Sequence, residues 1–162
     1  MIIRDFQKAD QSALRDLIFK TIEISYQDHY PPLAIEFLKQ YHSEKKILAR
    51  AASGTVLVAE LDGRLVATGS LDGAEILALF VDPGHQGSGL GKQLMARLEN
   101  RARESGATET LLSISLPSKQ FYEGLGYVVA EKRVLDLGNG QMLTFWKASK
   151  HIVMRTSSSS AW

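Results

Sequence analysis

The chain has 162 residues with 19 Lys or Arg and 18 Asp or Glu, and this near-neutral balance argues against a dedicated nucleic-acid-binding protein, which would carry a basic excess. The length corresponds to one domain, and a composition of 44% hydrophobic and 23% charged residues is typical of a soluble globular protein. Cysteine is absent, which excludes disulfides, thiolate zinc sites, cysteine nucleophiles and redox thiols.

The N-terminal third predicts a short strand followed by two helices. Residues 2–6 are mostly apolar and suit a strand, and Asp10 is a suitable N-cap for the helix that follows. Apolar residues at helical spacing then form one face: Leu14, Leu17, Ile18 and Ile22. Pro31 and Pro32 interrupt this helix and can open a second one.

The middle of the chain predicts three antiparallel strands. Residues 55–61 and 64–71 are rich in β-formers, and Asp62-Gly63 between them is a strong signal for a two-residue hairpin turn. A second turn at Asp72-Gly73 leads into residues 75–81, which are nearly all apolar, as expected of a strand buried on both faces.

The second half alternates helices and strands. After Asp82-Pro83-Gly84 comes a glycine-rich loop, residues 85–92, within which a helix with a leucine stripe begins. A strand follows at 110–115 and a short helix from Pro117. The last predicted elements are two strands, 127–137 and 142–148, joined around Gly138-Asn139-Gly140.

The glycine-rich loop is the clearest chemical signal in the sequence. Glycines between a buried strand and a helix N-terminus let backbone N–H groups approach a phosphate, and Lys92 adds a positive charge. The alternative is a tight connection in which the glycines serve only the turn. Two nucleotide motifs fail, because the Rossmann pattern needs glycine where Lys92 lies, and the P-loop needs glycine at Gln86 and Ser or Thr at Gln93.

The glycine-rich loop and a later segment fit a different pair of motifs. Residues 86–91 read Gln-Gly-Ser-Gly-Leu-Gly, or Q-x-x-G-x-G, and residues 121–127 read Phe-Tyr-Glu-Gly-Leu-Gly-Tyr, close to F-Y-x-x-x-G-F/Y. With the strand that ends at Asp82-Pro83, they make the chain resemble the GNAT superfamily, the GCN5-related N-acetyltransferases. The order of elements matches from Ile2 to about Ala148.

The resemblance implies an α/β (α+β) fold with a central mixed, mostly antiparallel seven-stranded sheet. The sheet would be splayed between strands 4 and 5 and flanked by about four helices. We expect the folded domain to span residues 1–149 and residues 150–162, which include the serine-rich end, to be a flexible tail.

The resemblance also implies where acetyl-CoA binds. Backbone N–H groups of the loop would hold its pyrophosphate, and the pantetheine arm would pair with the strand backbone around Leu79 and Val81, with the N–H of Val81 or Phe80 facing the thioester oxygen. The expected cofactor-binding residues are Leu79, Phe80, Val81, Gln86, Gly87, Ser88, Gly89, Leu90, Gly91, Lys92, Ser113 and Tyr122. Ser113 or Ser115 lies where many family members carry an asparagine that binds this arm.

Two residues are candidates for proton transfer. By resemblance, Tyr122 is the general acid, since a phenol with a pKa of about 10 can protonate a departing thiolate; the alternative is an aromatic that only packs. Glu75 is the candidate base, eleven residues before Gln86, a spacing similar to that in the histone-acetylating branch of the family. The alternatives for Glu75 are a solvated strand-start glutamate and a water chain that serves as the base.

The acceptor of the acetyl group is not specified by the sequence. Tyr26, Asp28, His29 and Tyr30 form an acidic and aromatic loop that suits an amine but is equally typical of a solvated loop. A polyamine, amino acid, antibiotic or protein amine all fit. Direct attack in a ternary complex is expected, because there is no cysteine to carry an acyl group.

Two other functions compete with acetyl transfer: a catalytically silent acyl-CoA-binding sensor on the same fold, and a nucleotide-binding module using the same loop. No metal is expected, because the four histidines show no i, i+4 pairing. The absence of an apolar signal or membrane-spanning stretch leads us to expect a cytoplasmic protein. A homodimer is compatible with the family, although the chain carries no evident interface signature.

Overall fold

The structure is a computed structural model, and it describes residues 1–153. In chain order, its strands and α-helices are β1 Ile2–Asp5, α1 Gln11–Tyr26, α2 Pro32–Tyr41, α3 Glu44–Ser53, β2 Thr55–Leu61, β3 Arg64–Asp72, β4 Glu75–Val81, α4 Leu90–Glu104, β5 Glu109–Ser115, α5 Lys119–Gly124, β6 Val128–Asp136 and β7 Met142–His151. Short 3-10 turns precede α1, α4 and α5.

All seven strands form one sheet in the order β1-β2-β3-β4-β5-β7-β6. Every neighbouring pair is antiparallel except β4 and β5, which are parallel. This confirms the predicted mixed, mostly antiparallel sheet. Residues 1–153 hold five α-helices, in agreement with the expected number of about four, and one of the five was not identified in the sequence.

The helix that the prediction missed is α3. Its N-cap is Ser43, whose side chain accepts a hydrogen bond from the Lys46 backbone N–H at 3.4 Å. It buries only Ile47 and Arg50, so its sequence lacks the apolar stripe that identifies a helix by periodicity. Arg50 is held inside because its guanidinium donates to the Tyr41 carbonyl at 2.7 Å.

The sheet is covered by helices on both faces, as the alternation along β2 illustrates. Val56 and Val58 pack against α1 and α3, whereas Leu57 and Ala59 belong to the cluster that holds α4. Successive side chains of a strand point to opposite faces, so a continuous apolar run is what a doubly covered strand requires.

The sheet opens between β4 and β5. The two strands share a single register pair, Glu75 with Leu111, at their beginnings. Farther along, β4 bulges, since two of its residues lie opposite Gly69 of β3 and Ala78 takes a positive φ of 56°. A β-bulge bends its strand and increases the local twist. The predicted splay between strands 4 and 5 is therefore confirmed, and it leaves β4 backbone facing a gap.

A buried polar network fixes α4 to the far half of the sheet. The Tyr127 hydroxyl donates to Glu99 Oε2 at 2.9 Å and lies 2.7 Å from Thr110 Oγ1, while Lys150 Nζ donates to both Glu99 oxygens at 3.0 and 3.1 Å. Burial raises the pKa of the Tyr127 phenol, which therefore stays a donor. Glu99 is thus the common acceptor of two elements, β7 and the segment before β6.

We expect Glu99→Gln to lower the free energy of unfolding by about 1–2 kcal/mol, because the amide replaces one charged acceptor oxygen with a donor that faces Lys150. Glu104→Gln, at an exposed position on the same helix, is the control and should change stability by less than about 0.5 kcal/mol. Urea unfolding of both variants measures the difference; equal midpoints would show that the network contributes nothing.

The C-terminal part of the fold reaches past the predicted boundary at residue 149. β7 continues to His151, Ile152 is buried at 3% exposure, and its backbone N–H donates to the Thr108 carbonyl at 2.9 Å. The rest of the predicted flexible tail, from residue 154 onward, lies outside the described residues. Among residues 1–153, no helix combines the length and the apolar character needed to cross a membrane.

Candidate functional site

A cavity of about 730 Å³ lies where the sheet opens, between α1, the glycine-rich loop and α5. Ten of the twelve expected cofactor-binding residues line it: Leu79, Phe80, Val81, Gln86, Gly87, Gly89, Leu90, Gly91, Lys92 and Tyr122. Of the other two, Ser88 directs its hydroxyl to the His85 carbonyl at 2.5 Å, and Ser113 lies in a second cavity described below. The fold therefore gathers these residues, although their roles in binding stay predictions.

The glycine-rich loop presents backbone N–H groups toward this cavity. Gly87 and Gly89 have φ values of 81° and 87°, a left-handed conformation that favours glycine, and a Cβ at either position would meet open space. The first backbone N–H groups of α4, those of Leu90, Gly91 and Lys92, have no acceptor within the helix. Unpaired N–H groups at the N-terminus of α4 suit an anion such as a pyrophosphate.

Side chains hold the loop in this shape. Gln86 Nε2 donates to the Val81 carbonyl at 3.0 Å and to Ser25 Oγ on α1 at 3.3 Å. The Gln86 amide thus ties the loop to both the end of β4 and α1. Gly91 packs so closely that a Cβ there would lie 3.0 Å from the Phe121 ring, which brings α4 against α5.

Asp82 organises the turn before the loop. Its carboxylate accepts hydrogen bonds from Lys20 Nζ at 2.9 Å, the Gly84 backbone N–H at 3.0 Å and His85 Nδ1 at 3.1 Å. The hydrogen bond from Lys20, followed by those from His85 and the Gly84 N–H, lowers the pKa of Asp82 below its ordinary value of 3.8. The ionised form of Asp82 is therefore the one the fold stabilises.

The pH dependence of stability should report this arrangement. A carboxyl whose pKa is lowered in the folded state contributes stability above its ordinary pKa of 3.8 and loses that contribution as the pH falls through the lowered value. We expect Asp82→Asn to be less stable than wild type at pH 7 and the difference to shrink at pH 3. Urea midpoints at both pH values measure it, with the exposed Asp28→Asn as control. A pH-independent difference would contradict the assignment.

At the end of β4, beside the loop, the backbone N–H of Val81 is directed into the gap between β4 and β5. Asp82 donates its N–H to the opposite carbonyl of β3 at 2.8 Å. Because hydrogen-bonded and non-hydrogen-bonded pairs alternate along antiparallel strands, the next bonded pair is at Phe80, and the pair at Val81 is not bonded. The Val81 N–H therefore faces the gap, whereas the Phe80 N–H belongs to the ladder with β3.

Tyr122 lies on α5 at the inner end of the cavity. Its side chain is buried, with 9% exposure, and its ring packs edge-on against Phe121 and Tyr127. Within residues 1–153 its hydroxyl has no hydrogen-bond partner, unlike those of Tyr26, Tyr30 and Tyr127. Burial raises the pKa of the Tyr122 phenol above its ordinary value, so the hydroxyl keeps its proton at neutral pH.

A second, smaller cavity of about 270 Å³ adjoins the first. The two cavities share five wall residues: Tyr26, Leu79, Phe80, Ser118 and Tyr122. Tyr122 thus stands where the cavities meet, and Glu75 lines only the smaller one. Such a pair of joined cavities can hold two molecules end to end with the unpartnered phenol between them.

The remaining expected residues divide between this cavity and the surface. Ser113 accepts a hydrogen bond from Lys147 Nζ at 3.0 Å, and Ser115 Oγ contacts Ser118 Oγ at 2.8 Å; all four line the smaller cavity. In the proposed acceptor loop, Tyr26 and Tyr30 line this cavity. Asp28 and His29 are exposed and line neither cavity.

Among the wall residues that the sequence reasoning missed, His42, Ser118 and Lys147 carry polar or charged groups. His42 follows α2 and belongs to no motif, and Lys147 lies on a strand that alternates in the ordinary way. The Pro117-Ser118 pair before a short helix was the one local signal, since it marks a turn directly before the motif that contains Tyr122.

Comparisons with known proteins agree with this geometry. The family model of the acetyltransferase (GNAT) domain matches residues 24–139. A glucosamine 6-phosphate N-acetyltransferase of Trypanosoma brucei brucei is 41% identical over 60 residues, 36% of this chain, and the chain spans 41% of that relative's length.

Solved structures share the architecture along nearly their whole length. The GCN5-related N-acetyltransferase from Rhodopseudomonas palustris aligns with a TM-score of 0.84 and 26% identity, covering 93% of this chain and 95% of that one. The PaiA N-acetyltransferase from Thermoplasma acidophilum, in complex with coenzyme A, aligns with a TM-score of 0.76 and 19% identity over 93% and 98% of the two chains. At 19% identity the second likeness concerns the fold alone.

Proposed function

The chain belongs to the acetyltransferase (GNAT) family, and on that premise we propose that it transfers the acetyl group of acetyl-CoA directly to a primary amine in a ternary complex. The observation that carries the proposal is the meeting of two cavities at the Tyr122 side chain. The larger cavity has the glycine-rich loop in its wall, and the smaller one has a carboxylate, Glu75, in its wall.

The residues of the larger cavity fit acetyl-CoA. The first N–H groups of α4 lack acceptors within the helix, and open space lies above Gly87 and Gly89 where a phosphate would approach. Lys92 supplies a positive charge on the same wall. The Val81 N–H is directed into the gap, where it can bind the cofactor arm or its carbonyl oxygen as a preorganised donor.

Acetyl-CoA, when bound, supplies an activated thioester whose sulfur leaves as the amine attacks. Tyr122 is positioned to donate its proton to that leaving group, because its hydroxyl is protonated, unpartnered and at the junction of the cavities. The buried phenol is a poor base, so it acts as an acid. Positioning both reactants in adjoining cavities supplies part of the rate enhancement.

Glu75 is the proposed base. It lies at the start of β4, in the wall of the smaller cavity only. The proton would pass from the amine to the carboxylate through water molecules in that cavity. Glu75 then accepts the proton that the amine must lose, and a water chain that acts without Glu75 is the alternative.

Glu75→Gln tests the base. We expect kcat to fall about tenfold, because the amide cannot accept a proton, and the rise of kcat/KM with pH on the acidic side to change shape. Glu123→Gln, at an exposed position that lines neither cavity, is the control. A variant with the wild-type pH–rate profile would remove Glu75 from the mechanism.

A turnover screen tests the function itself. Purified protein is incubated with acetyl-CoA and primary amines of several classes, and free thiol release is followed with each. Thermal stabilisation by acetyl-CoA but not by ATP or NAD would exclude the nucleotide-binding alternative. Stabilisation by acetyl-CoA without turnover of any amine would favour the silent acyl-CoA sensor. The cytoplasmic location and the homodimer stay predictions.

A further inference from the structure

Most of the side chains that line the smaller cavity are aromatic or aliphatic. They come from α1, α2, α5, β4, β6, β7 and the segment between α1 and α2, so the cavity is assembled from distant parts of the chain. The apolar and aromatic members are Tyr26, Tyr30, Phe37, Leu38, Tyr41, Ile76, Leu77, Ala78, Leu79, Phe80, Tyr122, Leu135, Leu143 and Phe145. A ligand that fills this cavity therefore contacts mainly apolar surface, whose removal from water favours an apolar body.

Charge in the wall is limited to one group of each sign. In the described part of the chain, the ionised side chains that line the cavity are Glu75 and Lys147. His42 is the third titratable group besides the tyrosines, and it packs edge-on against Phe80 and Tyr41 at 5.0 Å in each case. Burial lowers the pKa of His42 to about 3, so it is neutral at pH 7.

Most hydrogen-bonding groups of the wall are already paired within the protein. The Tyr30 hydroxyl donates to the Thr144 carbonyl at 2.7 Å and accepts from the Leu116 N–H at 2.9 Å. Ser115 and Ser118 bond to each other at 2.8 Å. A sugar or a polyamine needs many polar partners, and a phosphate needs several cations or N–H groups, so this wall suits none of them.

The mouth of the cavity continues the apolar character to the surface. Phe37 and Tyr41 of α2 are 38% and 44% exposed, and their rings stack with centroids 6.4 Å apart and an interplanar angle of 11°. Leu135 of β6 is 40% exposed on the same cavity. Large exposed apolar side chains that gather at a cavity mark a ligand-binding surface.

We propose that the amine acceptor carries its primary amine on a compact aromatic or aliphatic body with at most one further charge. The inference rests on the proposed acetyl transfer and names its substrate class. The volume of about 270 Å³ lies just below the range of about 300–1,000 Å³ that is usual for ligand pockets, so the body is small. Its amine reaches the wall shared with the larger cavity, at Tyr122.

Competition among four amines tests this substrate class: phenethylamine, phenylalanine, spermidine and glucosamine 6-phosphate. We expect kcat/KM to be at least tenfold higher for one of the two aromatic amines than for spermidine or the sugar phosphate. Preference for spermidine or the sugar phosphate would overturn the inference while leaving acetyl transfer intact. Acetyl-CoA binding with no turnover of any amine would instead overturn the proposed function.

The two aromatic amines differ only in a carboxylate, and Lys147 is the group that can recognise it. Within residues 1–153 this lysine has a hydrogen bond to Ser113 but no carboxylate within ion-pair distance. If phenylalanine is preferred, Lys147→Met should abolish that preference, measured as the ratio of kcat/KM for phenylalanine to kcat/KM for phenethylamine. If phenethylamine is preferred, the acceptor carries no second charge. Both results support the aromatic body.

Phe37→Ala tests the cavity mouth. Phe37 is exposed, so removal of its ring should leave the core packing unchanged. We expect KM for the aromatic amine to rise about fivefold, because the variant loses a ring at the cavity mouth, with KM for acetyl-CoA unchanged. Val134→Ala, exposed on β6 and lining neither cavity, is the matched control. Calorimetric titration of phenethylamine into the protein without acetyl-CoA should show the same fivefold loss of affinity; equal affinity in both variants would contradict the inference.

Discussion

Replacing Tyr122 with phenylalanine is expected to lower kcat about 100-fold and to leave KM for acetyl-CoA within about twofold. A positioned general acid contributes about 10²- to 10⁴-fold, and the substitution removes only the hydroxyl. Packing should survive, because that hydroxyl has no hydrogen-bond partner in residues 1–153, and the ring contacts with Phe121 and Tyr127 do not depend on it. The loss should therefore appear in the chemical step and not in binding or folding.

Tyr127→Phe is the matched control for this variant. The centroid of its ring lies 5.9 Å from that of Tyr122, but its hydroxyl donates to Glu99 of α4 instead of being unpartnered. We expect it to lower the melting temperature while changing kcat by less than about threefold. Steady-state kinetics and thermal unfolding of both variants separate the two roles. A Tyr122→Phe enzyme with kcat near that of wild type would assign this tyrosine to packing alone.

The sequence predicts the sheet well where short-range chemistry determines it. The Asp62-Gly63 turn forms as predicted, and the turn predicted at Asp72-Gly73 lies one residue later, at Gly73-Ala74, because Asp72 still pairs with Glu75. The positive φ values of Asp62, Gly63 and Gly73 are those that such hairpin turns require. The splay between β4 and β5 was predicted from the family resemblance. The structure shows a bulge at Ala78, whose positive φ could not be predicted because alanine has no preference for that conformation. Helix α3 escaped prediction because an arginine, Arg50, occupies one of its two buried positions.

The candidate site was predictable only where its residues are neighbours in the chain. The loop and the Tyr122 motif are local patterns, and the fold brings ten expected residues to one cavity. Contacts between residues that are distant in the sequence leave no local pattern. Gln86 contacts Ser25, 61 positions away, and the His42 ring packs edge-on against Phe80 in the wall of the smaller cavity. The apolar lining of the smaller cavity is formed by such distant residues. The sequence alone therefore could not indicate the class of amine that accepts the acetyl group.

Gly89→Glu is expected to raise KM for acetyl-CoA about 100-fold or more. The position caps α4 with a φ of 87° and faces open space, so a side chain there occupies the approach to the loop N–H groups. A carboxylate about 5 Å from a bound phosphate costs about 3 kcal/mol at an effective dielectric constant of about 20. Each 1.4 kcal/mol is about tenfold in affinity, so this repulsion alone accounts for a 100-fold loss.

Gly63→Glu separates this effect from backbone strain. Gly63 also has a left-handed φ, 75°, and a Cβ there also meets open space, but it lies in the β2–β3 turn and lines neither cavity. Both variants should lose about 1–2 kcal/mol of stability because a side chain is forced into that conformation, yet only Gly89→Glu should lose acetyl-CoA. Calorimetric titration with acetyl-CoA and urea unfolding measure the two quantities separately. If both variants bind acetyl-CoA equally, the pyrophosphate does not rest on the N-terminus of α4, and the loop glycines serve the turn alone.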